Sequence, residues 1–149
     1  MTRRFGATAL AFIALAGVPL IAAQDTPAPA RPTGIMAQLQ GVWTMTSSNG
    51  QEVPASGQEV VTTVTNNRYE QSVNGQVSER GTFKIDESKK PMAVDVSATE
   101  GPNAGMTQLG IFQLNGKTLT VKVAEPGTTV RPTDLAPSEG CVTFVMVKK

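Results

Sequence analysis

The chain after residue 40 alternates apolar and polar side chains with the two-residue period of β-strands. Threonine and valine are frequent there, and no stretch has the length and period of a sizeable helix. The pattern predicts eight strands, over residues 42–47, 59–65, 68–73, 77–85, 92–97, 106–114, 117–123 and 141–147. Before them, residues 33–40 predict a short helix with Thr33 as its N-cap, in which Ile35 and Leu39 share one face.

Asn-Gly pairs mark the places where the chain should reverse. One pair, at 74–75, separates the third and fourth predicted strands, and another, at 115–116, separates the sixth and seventh. Both central positions of a type I′ turn need a positive φ, which makes Asn-Gly the strongest hairpin signal. A third pair, at 49–50, predicts a turn after the first strand. Connections this short make neighbouring strands antiparallel.

Eight consecutive antiparallel strands favour either an up-and-down barrel or a two-sheet sandwich. The last predicted strand, 141–147, is apolar on both faces, so we expect it to be covered and not left as a free edge. Pairing of the last strand with the first would cover it. We therefore predict an all-β fold, an eight-stranded antiparallel up-and-down barrel that follows a short N-terminal helix.

One predicted connection is unusually long. Residues 124–140 include three prolines, and loops of this length are uncommon in compact domains. Two interpretations stay open: a proline-stiffened crossover that covers one end of the barrel, and a functional lid.

The strand alternation also predicts which side chains face the barrel interior. On the strand 92–97, for example, Met92, Val94 and Val96 share one face, and Asp95 points the other way. The predicted interior consists of Met45, Phe83, Ile85, Met92, Val94, Val96, Phe112, Leu114, Leu119 and Val121. An eight-stranded barrel can enclose a ligand or be filled by its own side chains, and the sequence leaves both open.

Residues 1–23 have the three-part pattern of a signal peptide. Arg3 and Arg4 form a basic start, residues 7–23 carry no charge, and Ala23 offers a small residue for cleavage. A linker rich in proline and alanine follows over 24–33, and the barrel domain is predicted over 34–149. We therefore expect a protein that is exported to the periplasm or the cell exterior and has no integral membrane span after processing.

The charge balance argues against nucleic acid as a partner. Removal of residues 1–23 takes away two of the 13 basic residues and none of the 12 acidic ones, which leaves 11 against 12 and a net charge of −1. No dense run of lysine and arginine is present. Such a chain has no electrostatic attraction to nucleic acid or to an anionic membrane surface.

The composition also argues against several classes of catalytic mechanism and of metal site. The chain has no histidine, so we expect no Ser-His-Asp or Cys-His catalysis and no histidine-ligated zinc or haem. The single cysteine, Cys141, excludes an intrachain disulfide and is expected to be a small half-buried apolar residue. The carboxylates Asp86, Glu87, Asp95 and Glu100 fall on an outward strand face or in polar loops, where solvated charge is the expected state. We predict no enzyme activity, no cofactor and no metal.

Residues 39–43, Leu-Gln-Gly-Val-Trp, resemble the opening Gly-x-Trp signature of lipocalins. The wider chain resembles an uncharacterised family of exported lipocalin-like domains typical of planctomycete proteins. That resemblance is carried by residues 39–43, 81–86, 89–91, 101–102, 110–116, 118–119 and 131–133. It implies a small β-barrel and no settled biochemical role.

In lipocalins the tryptophan plugs the closed end of the barrel, and a basic residue late in the chain packs on it. The resemblance therefore implies a structural signature of Gly41, Trp43 and one basic residue. Among the candidates Arg131, Lys148 and Lys149, we expect Arg131.

Two functional expectations follow. The first is a binding module that holds a small hydrophobic ligand inside the barrel. The alternative is a structural or protein-interaction module of the cell envelope with a filled core. An enzyme that uses carboxylates alone is the least favoured reading of these residues.

Overall fold

The computed structural model describes residues 28, 30–53 and 57–149. The predicted signal over 1–23 lies outside the described residues, and so does most of the predicted linker. The described part contains one short helix, α1 (Gly34–Leu39), and nine strands. These are β1 (Gly41–Ser48), β2 (Gln51–Glu52), β3 (Val60–Thr65), β4 (Arg68–Val73), β5 (Gln76–Asp86), β6 (Met92–Glu100), β7 (Thr107–Asn115), β8 (Thr118–Ala124) and β9 (Cys141–Lys148).

Eight of the strands form a closed antiparallel barrel, which confirms the predicted fold. Strands β1 and β3 to β9 each pair with the next along the chain, and β9 pairs back onto β1, for example through Met45 and Met146. The ninth strand, β2, was not predicted. It is a two-residue continuation of the turn at 49–50 and pairs only with the end of β1.

The Asn-Gly turns reverse the chain as predicted, with one shift of register. At 49–50 and 74–75 both central residues have positive φ. At the pair 115–116, Asn115 still belongs to β7 and pairs with Thr118 of β8, so the central residues of the turn are Gly116 and Lys117. Of these two only Gly116 has a positive φ, 58°, which suits the first position of a type II′ turn.

The barrel has two unlike ends, which we call the closed end and the open end. At the closed end lie α1 and the connections at 66–67, 87–91 and 116–117. At the open end lie the connections at 49–50, 74–75 and 101–106 and both ends of the segment 125–140. The core runs between them and comprises Leu39, Trp43, Met45, Val64, Phe83, Val94, Phe112, Leu119, Val121, Val123 and Met146. No helix in the described part of the chain is long and apolar enough to cross a bilayer.

Candidate functional site

The barrel encloses a cavity of about 430 Å³ that is partly open to solvent. Strands alternate their side chains between the two faces of the sheet, so each barrel strand sends its inward set into this space. The apolar lining consists of Leu39, Met45, Val60, Val64, Val73, Phe83, Ile85, Val94, Val96, Phe112, Leu119, Val121, Val123, Val142, Phe144 and Met146. The polar lining consists of Ser48, Thr62, Tyr69, Gln71, Glu79, Asn103 and Gln108.

Most of the predicted interior residues line this cavity. Met45, Phe83, Ile85, Val94, Val96, Phe112, Leu119 and Val121 are all among its lining residues. Met92 and Leu114 point inward as well, and they pack against the core without lining the cavity.

A group of three polar side chains stands where the cavity meets the open end. The Tyr69 hydroxyl donates a hydrogen bond to Glu79 Oε1 at 2.7 Å, and Asn103 Nδ2 donates to Glu79 Oε2 at 3.2 Å. Asn103 belongs to the connection between β6 and β7, so Glu79 lies beside that loop. Burial, together with the hydrogen bond and the negative charge of Glu79, raises the pKa of Tyr69 above its ordinary value near 10. The phenol therefore remains a hydrogen-bond donor at neutral pH.

Gly81 makes room for the tyrosine ring. It stands directly opposite Tyr69 across the β4–β5 pair. A Cβ atom built on Gly81 would lie 2.6 Å from Tyr69 Cε1 and would overlap the carbonyl oxygen of Ser97. Any side chain at this position would displace the ring, and with it the hydrogen bond to Glu79.

The closed end is sealed around Trp43, whose side chain is fully buried. Its Nε1 donates to the carbonyl oxygen of Leu39 at 2.8 Å, which satisfies a carbonyl at the end of α1 that has no partner within the helix. Lys148 Nζ lies 5.4 Å from the centroid of the Trp43 ring and donates to the carbonyl of Gln38 at 2.9 Å. Gly41 has φ +115°, and a Cβ there would approach Lys148 Cε to 3.2 Å.

The basic residue over the tryptophan is therefore Lys148, and the expectation of Arg131 is corrected. Arg131 binds the barrel wall elsewhere. Its guanidinium donates to the carbonyl oxygens of Val94 and Gly110 at 2.9 and 2.7 Å and pairs with the Asp95 carboxylate at 2.6 Å.

The long connection 125–140 packs against the outside of the barrel wall, which differs from the two predicted roles of end cover and lid. None of its residues lines the cavity. Besides Arg131, it is fixed by Lys122, whose Nζ donates to the carbonyl of Ala136 at 2.5 Å and lies 3.5 Å from Asp134. Lys122 is on the outward face of β8 and is nevertheless 2 % exposed. The segment thus covers an outward strip of β6, β7 and β8 and leaves the cavity uncovered.

None of the three polar side chains at the opening, Tyr69, Glu79 and Asn103, is among the site residues that the sequence predicts. Glu79 has no carboxylate close to it in the chain, unlike the pairs Asp86 and Glu87 or Asp95 and Glu100. The signal was present in the alternation: Phe83 and Ile85 were predicted to face inward, and the same period carried back along β5 reaches Gly81 and then Glu79.

The lining of the cavity is largely apolar and includes a few polar side chains. A largely apolar wall with a small number of placed polar groups is typical of small-molecule pockets. Among the described residues no three or more histidine, cysteine, aspartate or glutamate side chains come close enough together to hold a metal ion.

Comparison with known proteins adds no relative. No family model, no curated protein and no solved structure matches the chain. The resemblance to exported lipocalin-like domains therefore stays a prediction.

Proposed function

We propose that this protein is an exported, non-enzymatic barrel that binds a small hydrophobic molecule in its interior. The observation that carries the proposal is the cavity of about 430 Å³ between apolar strand faces. This volume falls in the range of about 300–1,000 Å³ in which small-molecule sites lie. The alternative, an envelope module without an internal ligand, would be expected to have a filled core.

The distribution of polar groups supports the same proposal. The middle of the cavity is lined by valine, leucine, phenylalanine and methionine side chains, which favour an apolar body because its surface leaves water on binding. Tyr69, Glu79 and Asn103 then offer hydrogen bonds near the opening. A ligand with an apolar body and one polar end fits this arrangement, with its polar end toward the open end.

Export is proposed from residues 1–23 alone, with Arg3 and Arg4 at their start and Ala23 as the cleavage position. Expression of the full chain in a bacterial host and mass spectrometry of the fraction released from the periplasm would test it. A mass that begins at Gln24 is expected, and retention of the whole chain in the cytoplasm would reject it.

Binding is tested by titration of the purified protein with the neutral fluorophore N-phenylnaphthylamine. We expect saturable binding at one site per chain. Val96→Phe fills part of the cavity and should weaken binding at least about tenfold, which corresponds to about 1.4 kcal/mol. Val147→Phe makes the same change on the outer face, where Val147 is 38 % exposed, and should leave the affinity unchanged. Absence of saturable binding, or equal weakening by the two variants, would reject an internal site.

A further inference from the structure

Among the residues that the structure describes, one charged side chain lines the cavity, and its charge is negative. It is Glu79, and no lysine or arginine of the described part of the chain joins it there. The neighbouring Arg80 alternates to the outer face, where it pairs with Glu70 and Glu100 at 2.8 Å each. Within the described residues no cationic side chain lies within ion-pairing distance of Glu79.

The Glu79 carboxylate is held in place but has acceptor capacity left. Each carboxylate oxygen can accept about two hydrogen bonds. Oε1 accepts one from the Tyr69 hydroxyl and Oε2 accepts one from Asn103 Nδ2. The two donors fix the orientation of the carboxylate, and among the described residues each oxygen accepts only this one hydrogen bond. The carboxylate can therefore accept further hydrogen bonds, and no cationic side chain of the described part lines the cavity beside it.

We propose, on the basis of the ligand-binding function above, that the cavity selects amphiphiles with a protonated amine and discriminates against fatty carboxylates of the same length. The ammonium group donates to Glu79, and the apolar chain lies among residues such as Val96, Phe83 and Val121. A charge-assisted N–H···O bond to a carboxylate is about twice as strong as a neutral one. A carboxylate ligand at the same position would meet a like charge in a partly desolvated site and would find no cation.

The test compares three unbranched probes with the same total number of carbon atoms: dodecylammonium, dodecanol and dodecanoate. Each displaces N-phenylnaphthylamine from the purified protein near neutral pH, at concentrations below micelle formation. The ammonium probe should bind at least about tenfold more tightly than dodecanoate, with the alcohol between them. This ranking is measured on the unaltered protein, so the proposal can fail without any variant.

A pair of variants assigns the preference to one residue. Glu79→Gln keeps the shape and removes the charge, and the ratio of the ammonium and carboxylate affinities should fall to within about twofold of unity. Glu70→Gln removes the same charge from the outer face of β4, where it pairs with Arg80, and should leave the ratio unchanged.

The outcomes separate this inference from the function on which it rests. If the fluorophore does not bind and no probe displaces it, both the amine selectivity and the proposed binding function fail. If dodecanol or dodecanoate binds as tightly as dodecylammonium, the selectivity is overturned and the binding function stands. If the ranking holds and Glu79→Gln leaves it intact, Glu79 is not its source and the inference is likewise overturned.

Discussion

The two ends of the barrel satisfy their polar groups in opposite ways. At the closed end, Trp43 and Lys148 both donate to carbonyl oxygens at the end of α1, and the ring of Trp43 is fully buried. At the open end, the Glu79 carboxylate keeps free acceptor positions. The exposed apolar side chains Met106 and Val142 also lie there, 48 % and 37 % exposed.

The contacts that stabilise the barrel therefore lie at the closed end, and the polar groups that the proposed ligand would contact lie at the open end. The closed-end contacts are complete within the chain, so their loss should lower the free energy of unfolding. The Glu79 carboxylate at the open end can accept further hydrogen bonds, so changes there should alter binding of the proposed ligand more than folding.

The largest effect is expected for Trp43→Ala at the closed end. Removal of a fully buried indole leaves a cavity and an unpaired carbonyl at Leu39, and such changes lower the free energy of unfolding by about 3–5 kcal/mol. Urea denaturation followed by far-ultraviolet circular dichroism measures it. Trp43→Phe retains a ring and should lose less. A loss below about 1 kcal/mol for Trp43→Ala would show that the closed end does not hold the barrel together.

A smaller effect is expected for Arg131→Ala on the barrel wall. The variant loses two hydrogen bonds to strand carbonyls and the pair with Asp95, all partly exposed to solvent, so we expect a loss of about 1–2 kcal/mol. Because the segment 125–140 does not line the cavity, the dissociation constant of N-phenylnaphthylamine should stay within about twofold. A large change in that constant would mean that the segment acts as a lid and that the open end is not open.

Lys148→Met tests the remaining contact of the closed end. It removes the ammonium group above Trp43 and the donor to Gln38 but keeps an apolar stem, so the expected loss is about 1 kcal/mol. Lys149→Met is the matched control, since that side chain is 54 % exposed and pairs only with an exposed glutamate. Thermal or urea unfolding should distinguish the two, and equal stabilities would contradict a role for Lys148 in sealing this end.

The contact of Lys148 with Trp43 depends on a feature of the barrel that the sequence pattern leaves open. Closure of the barrel was predicted because strand 141–147 is apolar on both faces, and the structure confirms it. The register of that closure was not predicted, and the register is what sets Lys148 directly opposite Trp43 across the β1–β9 pair. Residues that face each other in this way share one side of the sheet. Arg131 is expected from its residue type and its position in the chain, and neither of these determines which residues come into contact.

Other features depended on tertiary contacts that a period-2 pattern does not contain. Alternation assigns a side chain to one face of a strand. It predicts that Val94 and Val121 face the interior, and both line the cavity. It cannot say what covers the outer face, so nothing in the pattern predicted that Lys122 would be buried beneath the segment 125–140. The volume of the cavity likewise depends on how the strands curve, and not on which residues point inward.

The smallest effect is expected at the open end, and it becomes visible only at alkaline pH. Tyr69 is the one tyrosine of the chain, so the absorbance of tyrosinate reports this site alone. Burial and the neighbouring Glu79 raise its pKa in the folded protein, so the unfolded chain, whose tyrosine titrates near 10, loses the proton first. Below pH 10 the stabilising contribution is complete, and it is lost as the pH rises toward the higher folded pKa.

In the folded protein the tyrosinate signal should therefore appear well above pH 10, whereas in urea it should appear near 10. Glu79→Gln removes the negative charge but leaves the burial, which is the larger cause, so the midpoint should fall only part of the way toward 10. Glu70→Gln on the outer face should not move it. A folded midpoint near 10 would mean that Tyr69 faces water and not Glu79, and the open end would then lose the group that orients its carboxylate.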